Sequence, residues 1–243
     1  MIKATMIAAA ALALGAATPA AALTRQQIRW CEGSGGATPD MMIGGCTAVI
    51  QSGRLNTRQL ALAFGNRCSA YTSKQDYNRA IADCNQAIRL EPSNSARYID
   101  KANVHGAMHN YALAAEDYHE ALRRSRGNKD AWVGICRMQA LAGETTSAII
   151  NCSRALALMP KNDYVRESRG LAYFKADRFD ESITDFDAAI KSDSKNSETL
   201  YVRGLAKLKK GDITGGNSDI AAAKAIYNKI DVDLEKYGVK RAR

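Results

Sequence analysis

Six cysteines, three histidines and a set of regularly spaced arginines and aspartates are the residues of this 243-residue sequence that could do chemistry. The cysteines stand at positions 31, 46, 68, 84, 136 and 152. A redox dithiol is marked by a C-x-x-C spacing or an exposed thiol of lowered pKa, and no two cysteines here are closer than fifteen residues. An even set of six is the pattern of structural bridges in an oxidising compartment. His105 and His109 are four apart, so one helical face would carry both, a spacing able to hold a metal. There is no H-E-x-x-H, no third ligand at motif spacing and no general base between them. Gly211 to Gly216 is not a phosphate cradle, because no Gly-Lys-Ser/Thr follows, and no nucleophile elbow or Ser/His/Asp arrangement is readable. The expectation is a chain that binds rather than transforms, with no catalytic residue, metal or cofactor.

These residues must be positioned by helices. The composition is globular, with 46% apolar and 24% charged residues and only four prolines. Residues 1–22 read as a cleaved leader: Lys3 gives a positive start, Ala4 to Ala17 is nearly all apolar, and Ala20-Ala21-Ala22 after Pro19 suits signal peptidase. That run is too short to span a bilayer. The expected location is periplasmic or secreted, without membrane insertion and without a nucleic-acid partner. A net charge of +9 leaves room for acidic proteins, anionic glycans or lipid headgroups as partners.

Columns of like residues recur every 34 positions. One reads Asn94, Asn128, Asn162, Asn196; another Ala87, Ala121, Ala155, Ala189, Ala223; a third Asp83, Asp117, Asn151, Asp185, Asp219. A fourth, always small, reads Cys68, Ala102, Cys136, Gly170, Gly204, and a fifth Ala80, Ala114, Ala148, Ser182, Gly216. They define five units, 61–94, 95–128, 129–162, 163–196 and 197–230, within a repeat region that we take as 57–230. Each unit reads as two helices joined by a polar turn, as in Ala61 to Tyr71, Ser73 to Asp76, then Tyr77 to Leu90. Pro92 stops the second helix and Asn94 begins the next unit. One hairpin cannot bury its apolar stripe alone, whereas stacked neighbours can. Residues 23–56 read as a degenerate capping hairpin, Thr24 to Glu32 and Asp40 to Gln51, broken by Gly33 to Gly36 and by Pro39. Residues 231–243 read as a capping helix, Asp231 to Tyr237, and a basic tail. Gly211, Gly215 and Gly216 are expected to loosen the turn of unit five.

The unit resembles the tetratricopeptide repeat, with a small residue at position 8, an aromatic at 11, Ala at 20, a bulky residue at 24, Ala at 27 and Pro at 32. Tyr71 and Tyr173 hold position 11, with His105, Gln139 and Lys207 as departures; Cys84, Tyr118, Cys152, Phe186 and Ile220 hold position 24; and Pro92 and Pro160 hold position 32. The resemblance implies an all-α, right-handed superhelical solenoid of antiparallel helix pairs. It also implies a concave face lined by the first helix of each unit, including Asn66, Ser69, Thr72, Asp100, Asn103, Arg137, Tyr164, Glu167, Leu171, Phe174, Tyr201 and Leu205. The first units would offer short polar groups, and the last two aromatic and aliphatic ones, suited to an extended peptide with a polar and an apolar part. The cationic carboxylate clamp of chaperone-binding relatives is not matched, since Gly65 and Ser69 stand at its first cation and amide.

In a hairpin that turns near position 16, residues face each other when their positions sum to about 32. Cys68 and Cys84, and likewise Cys136 and Cys152, hold positions 8 and 24 of their units. Helix axes about 8–9 Å apart, with a Cα radius near 2.3 Å, bring such Cα atoms to roughly 4–5 Å, the close end of the disulfide window. Bridges 31–46, 68–84 and 136–152 are therefore expected. A second coupling joins position 7 (Arg67, Lys101, Ile135, Arg169, Arg203) to position 23 (Asp83, Asp117, Asn151, Asp185, Asp219): the unit without the cation also lacks the carboxylate. Arg67–Asp83, Arg169–Asp185 and Arg203–Asp219 are expected as ion pairs within or between hairpins, the alternative being a row of arginines gripping a polyanion. The function these readings point to is a non-catalytic scaffold of the bacterial cell envelope that binds a protein or peptide. The alternative is a module for an envelope polymer or glycan.

Overall fold

The computed structural model describes residues 23–240. The leader expected over residues 1–22, and the last three residues of the basic tail, lie outside the described residues. Those described form helices joined by short turns, with no strand among them. A leading hairpin comprises α1 (Arg25–Cys31) and α2 (Pro39–Gln51). Units one to three are α3 (Thr57–Ser73) with α4 (Tyr77–Leu90), α5 (Ser95–Ala107) with α6 (Tyr111–Arg124), and α7 (Lys129–Ala142) with α8 (Thr145–Leu158). Units four and five are α9 (Asp163–Lys175) with α10 (Phe179–Ile190) and α11 (Ser197–Lys209) with α12 (Ile213–Ile226), followed by α13 (Ile230–Glu235). Partners in each hairpin pack together and each second helix packs on the first helix of the next unit, giving a right-handed superhelical solenoid.

Local chemistry explains where the helices begin. The asparagine column supplies N-caps: the Asn94, Asn128, Asn162 and Asn196 side chains accept from the backbone N–H of Ala96, Ala131, Val165 and Thr199. Asn56 does the same for α3 through a capping box with Gln59, so that helix starts at Thr57 and not at Ala61. Pro39 is likewise no breaker. It is the first residue of α2 behind the Thr38 cap, where its missing N–H and fixed φ cost nothing.

The turns inside the five units share a feature missed in the sequence. Gln75, His109, Gly143, Asp177 and Gly211, each 34 residues apart, all adopt a left-handed backbone with φ between 56 and 87°. The next residue's N–H then reaches five residues back, as from Asp76 to Tyr71 and from Asn110 to His105, both at 2.9 Å. This closure satisfies carbonyls that the helix end would otherwise orphan.

Small residues set how closely helices approach. A Cβ on Gly134 of α7 would lie 2.2 Å from the Tyr118 ring of α6, so only glycine admits that ring. In unit five, Gly215 and Gly216 do not loosen the turn. Both lie within α12, and a Cβ on Gly216 would meet Leu208 and the Gly204 carbonyl of α11. The closeness of the pair requires Gly216, while a Cβ on Gly215 would strike the Asp212 side chain that caps α12.

Helix α13 packs on α11. Ile230, Leu234 and Val239 enter the same apolar cluster as Leu171, Phe174, Tyr201 and Leu205, with Tyr237 at its edge.

Candidate functional site

Staples and ion pairs first fix the frame of the concave face. Disulfides join Cys31 to Cys46, Cys68 to Cys84 and Cys136 to Cys152, with Cα separations of 4.4, 5.5 and 4.8 Å. The sulfur-bearing side chains are buried between the two helices of each hairpin. They sit where other units place a small residue against a bulky one, as with Gly170 under the Phe186 ring.

The arginine–aspartate pairs form inside the hairpins of units one, four and five. Arg67, Arg169 and Arg203 each donate two hydrogen bonds to Asp83, Asp185 and Asp219, at 2.6–2.8, 2.7–2.8 and 2.7 Å respectively. The third arm of each guanidinium reaches back to the preceding hairpin, to Thr47, Ser153 and Asp187. One residue therefore ties two units, and the arginine forks are spent on the protein itself rather than offered to a polyanion.

Position 11 completes a triad. His105 Nδ1 lies 2.9 Å from one Asp117 oxygen, both atoms buried and outside hydrogen-bond geometry, while Lys101 holds the other oxygen, and Lys207 joins Arg203 on Asp219. In unit three, where Ile135 replaces the cation, the Asn151 amide donates to Gln139 at 2.8 Å. The departures from an aromatic at position 11 are thus side chains that share the buried partner at position 23. Histidine 109, in contrast, occupies the left-handed turn and its Nδ1 meets the Tyr111 hydroxyl at 2.6 Å. His119 is an exposed residue of α6. Among the described residues, no three His, Cys, Asp or Glu side chains converge as metal ligands.

The concave residues divide into three zones. At the first, Ser69, Thr72, Ser73, Asp100 and Asn103 line a small polar depression between α3 and α5. Asp100 is bonded to Arg97 at 3.1 Å, yet burial raises its carboxyl above the usual range against that charge. Arg97 was not foreseen as part of the face. Its guanidinium lies against Gly65, where a Cβ would be 2.7 Å away, and is also paired with Glu91. Asn66 and Asn103 are already used: one donates to the Cys31 carbonyl at 2.9 Å, the other accepts from the Tyr118 hydroxyl at 2.5 Å.

In the middle zone Arg137 of α7 reaches Glu198 of α11 at 2.8 Å and lies over the Tyr164 ring. Glu167 accepts from Asn196 and Thr199. Burial raises the Glu167 carboxyl, and the Glu198 charge adds to that. Tyr164 stays 47% exposed.

The third zone corrects the sequence expectation. Leu171, Phe174, Tyr201 and Leu205 do not face solvent as an apolar docking strip; they are 2–8% exposed, in one apolar cluster with residues of neighbouring helices and with Ile230, Leu234 and Val239 of the C-terminal segment. Apolar area open to water is covered when the chain holds a segment that can reach it.

The tetratricopeptide repeat profile matches residues 61–94, 99–163 and 168–228, more than half of the chain. The chain belongs to the tetratricopeptide repeat family. A serine/threonine-protein phosphatase T of Aspergillus oryzae is 32% identical over 78 residues, covering 32% of this chain and 16% of the phosphatase. Human tetratricopeptide repeat protein 12 is 26% identical over 78 residues, 31% of this chain and 11% of that protein. Among solved structures, YrrB, described as a tetratricopeptide repeat protein with an unusual peptide-binding site, superposes with a TM-score of 0.60 at 20% identity over 80% of this chain and 98% of that one. MamA gives 0.61 at 18% identity over 77% and 98%. These likenesses establish the fold.

In this tetratricopeptide repeat stack one lysine stands apart. Lys175 at the end of α9 donates to the Ala140 and Leu141 carbonyls, both at 3.0 Å, and so caps the C-terminus of α7. Burial, with the charge of Arg137 adding to it, lowers this ammonium from 10.5 to about 8. Between those values the unfolded chain holds a proton that the folded chain has lost, so stability rises as pH rises through that window. Urea midpoints should increase between about pH 7.5 and about pH 9.5, and Lys175→Met should flatten the increase. An equal slope in the variant would assign the titration to another group.

Proposed function

We propose that this chain is a non-catalytic binding scaffold that works outside the cytoplasm, in the bacterial cell envelope, and takes a protein or peptide segment on its concave face. The observation that carries this reading is the polar depression around Asp100, open between two first helices of a tetratricopeptide repeat stack. Ser69 and Ser73 are exposed beside it, and a carboxyl there can accept the N–H groups that an extended segment presents. YrrB's description as a protein with a peptide-binding site fits the same mode of use. The polymer-binding alternative draws no support from the arginine column, whose donors are engaged internally. The envelope location is supported by the leader-like residues 1–22 and by three closed disulfides.

Photocrosslinking in intact cells tests both parts. A photoreactive residue at Ser69 should give a discrete adduct that Asp100→Ala diminishes, whereas the same residue at exposed Ala82 of α4 should not. Equal adducts from both positions, or none from Ser69, would remove the concave-face reading. Fractionation should place the adduct with the envelope and show an amino terminus near Leu23; an intact leader in the cytosolic fraction would remove the location.

A further inference from the structure

The C-terminal segment does not continue the stack. After α12 ends at Ile226, α13 packs on α11, and Tyr237, Gly238 and Lys240 line one depression with Leu141, Phe174 and Lys175 at the ends of α7 and α9. The Tyr237 ring then meets Tyr111 of unit two, with centroids 6.1 Å apart. A segment that follows unit five thus spans units four and three and touches unit two.

Its attachment is apolar and local. Ile230, Leu234 and Val239 are fully inserted, while Val232, Glu235 and Lys236 between them face solvent. None of the three disulfides includes this segment. Helix α13 is a single short helix that begins without a side-chain cap. Its ion pairs, Lys224–Asp231 and Lys236–Asp233, lie on the exposed side, where such pairs hold little. Units four and five beneath it, by comparison, are each tied by a buried arginine that holds two helices of its own hairpin and the preceding unit.

We infer that the concave groove of units three to five is a second binding surface, that residues 227–240 are its tethered occupant, and that a partner segment with apolar side chains at the spacing of Ile230, Leu234 and Val239 takes their place. The groove wall is the set Leu171, Phe174, Tyr201 and Leu205, and its chemistry is stated by what already sits on it. A tether this short presents the segment at an effective concentration on the order of millimolar, so a free competitor binds weakly until the tether is released. This goes beyond the reading of the polar depression, concerns the other end of the groove, and stands or falls separately from the Ser69 crosslink.

The test uses the full chain and a fluorescein-labelled synthetic peptide with the sequence of residues 227–240, followed by polarisation. Leu234→Asp with Val239→Asp should release the segment and tighten peptide binding at least about tenfold over the unsubstituted chain, by the tether argument. Adding Phe174→Ala in that background should weaken it again by a similar factor. Equal binding to the unsubstituted and released chains overturns the inference. So does a released variant that has lost cooperative thermal unfolding, because the segment is then an obligatory part of the core.

Discussion

Asp185→Ala should destabilise the solenoid by about 3–5 kcal/mol, because it leaves the Arg169 guanidinium without its carboxylate in a largely enclosed site. The bidentate pair at 2.7–2.8 Å holds α9 to α10, and its third arm holds Ser153 of the preceding unit. The molecule contains its own control. Unit three does the same structural work with Ile135, Gln139 and Asn151, whose Asn–Gln hydrogen bond needs no charge. The triple exchange Arg169→Ile, Tyr173→Gln, Asp185→Asn should therefore cost less than the single alanine, since replacing a buried pair by a satisfied neutral set is often close to neutral. Urea unfolding of both variants checks this. If the triple variant is the less stable of the two, the column acts through charge at this site and not through satisfied partners.

Cys136→Ala with Cys152→Ala should lower stability by about 3 kcal/mol on the chain-entropy picture of a loop of this length, and by more to the extent that the emptied space fails to collapse. The sulfur-bearing residues are wholly buried, so native protein should resist reductant while unfolded and reduced protein refolds to a less stable state. A urea midpoint unchanged by the double substitution would show that the thiols only fill space between α7 and α8.

Much of this was legible in residues 61–230, because a 34-residue period imposes one environment on each column. The facing positions 8 and 24 located the cysteine pairs, and the joint loss of charge at Ile135 and Asn151 located the ion column. Position 11 was read only as an aromatic site with exceptions. His105, Gln139 and Lys207 all lie against position 23, so positions 7, 11 and 23 vary together along the sequence. The left-handed column at Gln75, His109 and Asp177 gave no such signal, since only two of its five members are glycine. Its backbone is held by the carbonyl closure at the helix end, a requirement that residue type does not announce.

Sequence by itself determined the hairpin, its repetition and the partners inside each hairpin, because those contacts connect residues at fixed short separations that recur. It could not decide which concave side chains meet water. Leu171, Phe174, Tyr201 and Leu205 have the composition of a docking strip, and the C-terminal segment that joins their apolar cluster carries no repeat to set its register. Only the tertiary structure places Ile230, Leu234 and Val239 there, because a non-repeating segment settles wherever the path of the chain lets it remove the most apolar surface from water.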